Sequence, residues 1–447
     1  MGVRYQLSDS EEEDDMRVSV IGAGIGGLAL AQALRRADIE VAVHDRDAHI
    51  GATGGYRLAL DAPACETLRR HLTPGHYQAL LGSSAPPAAS RRLTFADHRL
   101  RALSEQTFDA TDEALFIGRV PLRTLLADGL GDRIRFGATY TGHEVRDDGR
   151  VVARFADGST DVADVLVGAD GARSRVAAAL AGRPTSVPCG YGCIAARIPL
   201  DADTRGRLPA ILEGGPGLAI GPRGLGMFLT AHDPASGAAV DPATCRDVSP
   251  ITEAPALIWG LIGPDADLRP DGTRPEGPAL VDVAVGALGG WAEDLRTLLA
   301  GTDPTTAAFF GYHTCDPDAD LTPWPAGPVT ALGDAVHAMP PTGGGSAATA
   351  IRDAGHLATE LVAARDGGST IALATLRFQS TMAGYAPDRV RDALGVLRSM
   401  QRLAHPLASA AARAGLPTLA AWHRVRRGAT GRGRTTSAVS RRVRVVA

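Results

Sequence analysis

The sequence predicts an α/β fold: a parallel-sheet domain with helices, a second domain built on a mixed or antiparallel sheet, and C-terminal helices. Three observations predict it. The apolar run Val18-Ser-Val-Ile21 leads directly into Gly22-Ala-Gly-Ile-Gly-Gly27. Two later apolar runs end in polar glycine turns, Gly168-Ala-Asp-Gly171 and Gly333-Asp334. Between them, at 184–275, strand-like segments separated by Pro- and Gly-rich loops replace the strand–helix alternation.

Short apolar runs of this kind suit strands buried on both faces of a parallel sheet. Gly22, Gly24 and Gly27 fit the G-x-G-x-x-G pattern that follows such a strand. The first glycine permits a tight turn, the second lets backbone approach a pyrophosphate, and the third lets the next helix pack closely. Residues 28–36 read as that helix, whose N-terminus offers N–H groups and a positive dipole end to phosphates. Glu40-Val-Ala-Val-His44 is the next strand. Asp45 follows about 20 residues past the glycines, where an acid accepts hydrogen bonds from a ribose. Its carboxylate also weighs against a 2′-phosphate, and so against tightly held NADP.

The alternating stretch at 56–61 predicts a strand, 67–81 a helix, and 92–95 with 100–103 a hairpin. Residues 120–130 predict a helix of the first domain. Segments 133–136, 143–145 and 151–155, punctuated by Asp-Gly turns, predict a small antiparallel layer. Asp164-Val-Leu-Val-Gly168 and Val329-Thr-Ala-Leu332 are two more buried strands. In an open α/β sheet, ligands sit at the carboxyl ends of the strands, so Asp170 and Asp334 share the rim of the first glycine loop. A carboxylate at Asp334 suits a polyol, and the glycines at 343–345 let backbone N–H groups approach a flat ring. Segments 191–198, 217–220, 226–230 and 256–262 are the strands of the second domain. Helices are expected at 281–299, 349–364, 373–407 and near 416–422.

The expected organisation is therefore an acidic tail at 1–15 and a nucleotide-binding domain at 16–183, with inserted strands at 56–103. A substrate-binding sheet domain follows at 184–275. The first domain resumes at 276–375, and helices at 376–423 precede a basic tail at 424–447. A length of 447 residues accommodates two or three domains. Hydrophobic residues make up 45% and charged residues 21%, a globular composition. All basic residues are Arg. The net charge of −4 gives no case for nucleic-acid binding. No apolar run reaches 18 residues, and the acidic N-terminal stretch is no signal peptide, so a cytoplasmic protein without membrane spans is expected. Five scattered cysteines imply neither a disulfide framework nor a zinc site. No catalytic dyad or G-x-S-x-G elbow is present. His44, His337 and His356 read as locally satisfied structural residues.

From about residue 16 to about 427, these motifs in this order resemble the FAD-dependent monooxygenases of the p-hydroxybenzoate hydroxylase type. The resemblance implies an FAD in a Rossmann-like domain, with Gly22, Gly24 and Gly27 at its pyrophosphate and Asp45 at its ribose. Arg46 would lie near the adenine, and Arg119 would be the flavin-side arginine. Asp170 and Gly171 would contact pyrophosphate and a visiting NADPH. Gly333 and Asp334 would hold ribityl, and Gly344, Gly345 and Ser346 the flavin's pyrimidine side. Pro340 and Pro341 would border the ring. NADPH or NADH would be a transient co-substrate, since no second dinucleotide fold is present. The implied reaction is hydroxylation or epoxidation of an aromatic or polyketide-like small molecule by a flavin hydroperoxide. The sequence departs from the family at Ser346, where Gly is usual, and at Ala348, where Asn is usual. That departure keeps open a second implied activity, a non-redox [4+2] cyclisation forming a decalin, with FAD as scaffold. Substrate identity and oligomeric state are not legible.

Overall fold

A computed structural model describes residues 16–53, 57–107, 114–269, 272 and 275–403. The acidic and basic tails and the helix expected near 416–422 lie outside the described residues. The apolar runs form a five-stranded sheet in the order Val329–Ala331, Val165–Gly168, Arg17–Ile21, Glu40–His44, Ile134–Arg135. Every pairing in it is parallel. Val18 lies opposite both Val41 and Val165, and Leu166 opposite Val329. The three glycine turns therefore leave the sheet at one rim. The segment at 133–136 joins this sheet at its edge and not the antiparallel layer, which consists of Tyr140–Val145, Val151–Phe155 and Thr160–Ala163.

The helix Ile25–Arg36 is buried from Ile25 through Leu34, between the sheet and the helix Ser346–Arg365. That contact is close because Gly26 has no side chain. A Cβ there would meet Leu332 Cδ1 at 2.8 Å and Ala350 Cβ at 3.1 Å.

The second sheet has seven strands: Asp303–Thr314, Val187–Pro199, Ala256–Pro264, Gly226–His232, Gly217–Ile220, Arg92–Asp97 and Ala102–Thr107. It takes strands from beyond 184–275. The hairpin at 92–107 docks through a parallel pairing of Thr94 with Gly217, and Asp303–Thr314 closes the other edge. One face, carrying Ile194, Leu257, Trp259 and Leu261, is covered by the helices Pro278–Ala287 and Glu293–Leu299. The buried Trp259 indole donates to Thr302 Oγ1 at 3.0 Å.

Three expected helices are each split in two. Residues 67–81 divide between Ala62–His71 and Pro74–Ser83, because Thr73 caps a new helix whose first residue is Pro74. Residues 281–299 break around Gly289 and Gly290, the latter with φ +82°. Residues 373–407 break at Gly384 into Ile371–Ala383 and Ala386–Leu403. All five cysteines are free thiols.

Candidate cofactor site

The first glycine loop is built as its spacing demands. Gly22 has φ +113°, and a Cβ on it would lie 2.3 Å from the Ala169 carbonyl oxygen. A Cβ on Gly27 would lie 2.0 Å from the Gly22 carbonyl oxygen. At Gly24 a Cβ would meet only the Ala169 carbonyl oxygen, at an ordinary contact distance of 3.9 Å, so the protein itself does not crowd that position. No side chain caps Ile25–Arg36, and its first turn contains no acid. Its N–H groups and dipole are thus presented to an anion at the loop.

Asp45 is 8% exposed and accepts hydrogen bonds from Ala23 N at 2.5 Å and Asp47 N at 2.7 Å. Arg46, beside it, is exposed. Arg119 is the first residue of the helix Arg119–Ala127 and is half-buried. Asp170 lies at the same rim, where its carboxylate accepts from Ser174 Oγ and Arg175 N, beside Ser174, which caps the helix Arg175–Ala181 through Ala177 N. Gly171 follows with φ +79°.

The late turn approaches from the other side of the rim. Gly333 has φ +65°, and Asp334 accepts from Ser346 Oγ at 2.6 Å. The family departure at Ser346 thus places a hydroxyl on the carboxylate of the Gly-Asp turn. Pro340 is buried and Pro341 exposed. Gly344 has φ +66°, and Gly345 starts the helix Ser346–Arg365 with no side-chain cap. This second helix N-terminus also presents backbone N–H groups. Ala348 is buried.

The structure brings together two groups that the motifs do not name. Arg123 is 3% exposed and donates to Ala23 O at 2.8 Å, Ile50 O at 3.0 Å and Asp45 Oδ2 at 3.4 Å, with Asp47 Oδ2 at 3.1 Å. It fastens the glycine loop to the acid after the second strand. Its signal was its place four residues after Arg119, one turn along the same helix. The second group lies beneath Gly333. Asp353, fully buried, accepts from Gly333 N at 2.8 Å, His337 Nε2 at 2.6 Å and Tyr385 Oη at 2.5 Å. Burial disfavours charge on His337, but the charge and hydrogen bond of Asp353 outweigh it and raise its pKa. Burial and then Asp353 hold the Tyr385 phenol protonated, its pKa pushed far upward. His337 is thus a packing and hydrogen-bonding residue of the turn, as its position suggested. His44 is likewise structural: its Nε2 meets Asp161 Oδ2 at 3.0 Å, and its carbonyl accepts from Gly22 N. His356 packs on Tyr385 and Arg352. Among the described residues no cluster suits a metal ion.

These features fit FAD. There is a glycine loop with space at Gly24, a buried acid at the ribose position, and a second uncapped helix start beside Asp334. The fold and this rim define a flavoprotein with a Rossmann-like domain. The model of an NAD(P)-binding Rossmann-like domain matches residues 20–74, and that of an FAD binding domain matches residues 297–374. The 3-amino-4-hydroxybenzoate 2-monooxygenase PtnB3 of Streptomyces platensis is 30% identical over 358 residues, 78% of this chain and 80% of that protein. The dual O-methyltransferase/FAD-dependent monooxygenase elcB of Phaeosphaeria nodorum is 30% identical over 375 residues, 77% of this chain and 40% of elcB. The chain thus spans about two fifths of the length of such fungal relatives. HpxO of Klebsiella pneumoniae, solved with FAD and uric acid, shares the fold with a TM-score of 0.70 at 22% identity, covering 92% of this chain and 95% of HpxO. The chain belongs to the family of FAD-dependent monooxygenases. No described helix is long and apolar enough to cross a membrane.

Proposed function

We propose that the protein is an FAD-dependent monooxygenase that hydroxylates or epoxidises an aromatic or polyketide-like small molecule, with NADPH or NADH as a transient co-substrate. The observation that carries this reading is the convergence of Gly22, Asp170 and Gly333-Asp334 on one rim of one parallel sheet. The names of PtnB3 and elcB support the reaction class.

In this reading Gly22, Gly24 and Gly27 receive the pyrophosphate, and Asp45 and Arg46 the adenosine end. Arg119 takes the flavin side, and Asp170 and Gly171 the pyrophosphate and the visiting NADPH. Gly333 and Asp334 hold the ribityl chain, and Pro340, Pro341, Gly344, Gly345 and Ser346 border the ring. Bound FAD supplies the electron transfer and oxygen activation. The chain's own residues bind, orient and exclude water. Arg123 fixes Asp45 toward the glycine loop, Asp353 fixes the Gly333 turn, and Ser346 holds one oxygen of Asp334.

The test is anaerobic stopped-flow absorbance of the holoprotein in the flavin band, with NADPH and with NADH. Bleaching stimulated by an aromatic or polyketide substrate, with reoxidation in air and a product heavier by one oxygen, is the expected result. A flavin that stays oxidised while a polyene substrate is converted to an isomer of unchanged mass would instead establish the scaffolded cyclase.

A further inference from the structure

The second sheet's other face is turned toward the flavin turn. Its residues alternate with those of the helix-covered face. In register across three strands lie Cys193, Ile262 and Gly226, then Ala195, Gly260 and Phe228, then Arg197, Ile258 and Thr230. The helix Ala386–Leu403 covers one end of this face with Leu397 and Met400. The same helix accepts a hydrogen bond from Thr342 of the flavin turn at the Ala393 carbonyl, 2.8 Å away. The face is therefore apolar in its middle row, where Ala195 and Gly260 are small and Phe228 large, and it continues toward the candidate flavin site.

Its other end is charged. Arg197 Nη2 donates to Glu253 Oε1 at 2.8 Å. His232, one row beyond Thr230, donates from Nε2 to the Glu253 carbonyl at 3.2 Å. Its Nδ1 is then an acceptor, and Arg57 Nη1 donates to it. Arg57 Nη2 donates to the Phe116 carbonyl at 2.8 Å. Arg57 comes from the other domain: it opens the strand Arg57–Leu60 and pairs with Gly118, the residue before Arg119. Glu253 packs against that same glycine, since a Cβ on Gly118 would lie 2.0 Å from Glu253 Oε2.

The guanidinium of Arg57 thus donates to two neutral acceptors and to no carboxylate oxygen among the described residues. Two arginines face one carboxylate. Burial disfavours the charged form of Arg57, and Glu253 offsets this only in part. Burial, with Arg57 next, also lowers the pKa of His232 and holds it as the neutral acceptor. A half-buried cation whose remaining N–H groups meet no carboxylate is stabilised by a planar oxyanion, which takes two parallel N–H bonds.

Building on the monooxygenase reading, we infer that Arg57, oriented by His232, is the recognition site for a substrate oxyanion, a carboxylate or the enolate of a 1,3-dicarbonyl. The rest of the substrate lies along the row Ala195, Gly260 and Phe228 toward the flavin turn. His232 is a positioning residue and Arg57 a binding residue.

The experiment is equilibrium binding to the FAD-loaded protein, read as perturbation of the flavin absorbance and by calorimetry. The probes are 2-naphthoate, naphthalene-2-carboxamide and the enolised diketone dimedone. The acid or the enolate should bind at least about tenfold more tightly than the amide, as a charge-assisted hydrogen bond implies. Preference for naphthoate over dimedone assigns the carboxylate, and the reverse assigns the enolate. Arg57→Gln should reduce the preference to within about twofold while FAD content and Tm are kept, and Arg57→Lys should restore part of it. Equal binding of acid, enolate and amide, no binding of either anion, or an undiminished preference in Arg57→Gln overturns the inference. Binding is read without NADPH, so a flavin that NADPH fails to reduce would sink the monooxygenase reading and leave the oxyanion site standing. A reducible flavin with no anion preference would do the opposite.

Discussion

At the scale of single residues, the three motif glycines are unequal, and the structure says how. A Cβ on Gly27 would lie 2.0 Å from the Gly22 carbonyl oxygen and press on the side chains of Ala169 and Val20, whereas one on Gly24 would meet the Ala169 carbonyl oxygen only at 3.9 Å. Gly27→Ala should lower the stability of the apoprotein by about 1–3 kcal/mol, the usual cost of overpacking. Gly24→Ala should leave the apoprotein Tm unchanged and weaken FAD binding. Thermal unfolding of FAD-stripped protein and flavin fluorescence titration separate the two; equal Tm losses would refute the distinction. Arg123→Ala leaves the buried Asp45 carboxylate with its two backbone donors, Ala23 N and Asp47 N, but without a cation, and takes the Arg123 donor from the Ala23 and Ile50 carbonyls. Breaking such a pair costs about 3–5 kcal/mol. Denaturant unfolding should show a loss of that order, together with weaker FAD binding. The glycines were legible in sequence because backbone geometry restricts them to one residue type. Arg123 was not, because a buried arginine bonded to carbonyls has no spacing rule and is recognised only when the loop and the acid are seen together.

At the scale of elements, the Gly333 turn is held from below by Asp353 on one helix and Tyr385 just before the next. The folded pKa of His337 is raised above its ordinary 6.5 by Asp353, against burial. The folded chain then binds that proton more tightly than the unfolded chain. The resulting stability is fully present below pH 6.5 and is lost as pH rises through the folded value. Unfolding free energy of the wild type should therefore fall as pH rises above 6.5, and His337→Gln should remove that part of the slope. A slope unchanged in His337→Gln would assign it to another group. Ser346 belongs to the same element. Ser346→Gly removes the hydroxyl from Asp334, and the rate of flavin reduction by NADPH is the quantity expected to change. The helix breaks were partly legible: Thr73-Pro74 is a start signal, Gly289-Gly290 and Gly384 are stop signals, and apolar periodicity alone runs through all of them. The hairpin at 92–107 was legible as a hairpin, but its parallel docking on Gly217–Ile220 is a long-range pairing that no local pattern encodes.

At the scale of the whole molecule, the helix Ala386–Leu403 is the piece that ties the two sheets' domains together around the candidate site. Near its start Arg389 pairs with Asp61, and Arg391 pairs with Asp318. In its middle Ala393 packs on Gly343 of the flavin turn, where a Cβ would lie 3.2 Å from Ala393 Cα. Toward its end Met400, 1% exposed, fills the space left by Gly226 in the second sheet. The ion pairs are largely exposed and contribute little, about 0–1 kcal/mol each. The buried methionine is the stronger tie, since truncating it removes packing and leaves a cavity worth about 2–5 kcal/mol. Met400→Ala should therefore lower Tm and also speed release of FAD, because the same helix supports the Gly343 turn. Arg391→Ala should change neither measurably. A Met400→Ala protein that loses Tm but keeps wild-type FAD release would mean that the helix braces the second sheet alone. Coupled loss of both would mean that the flavin turn and the sheet face opposite it are held by one rigid element.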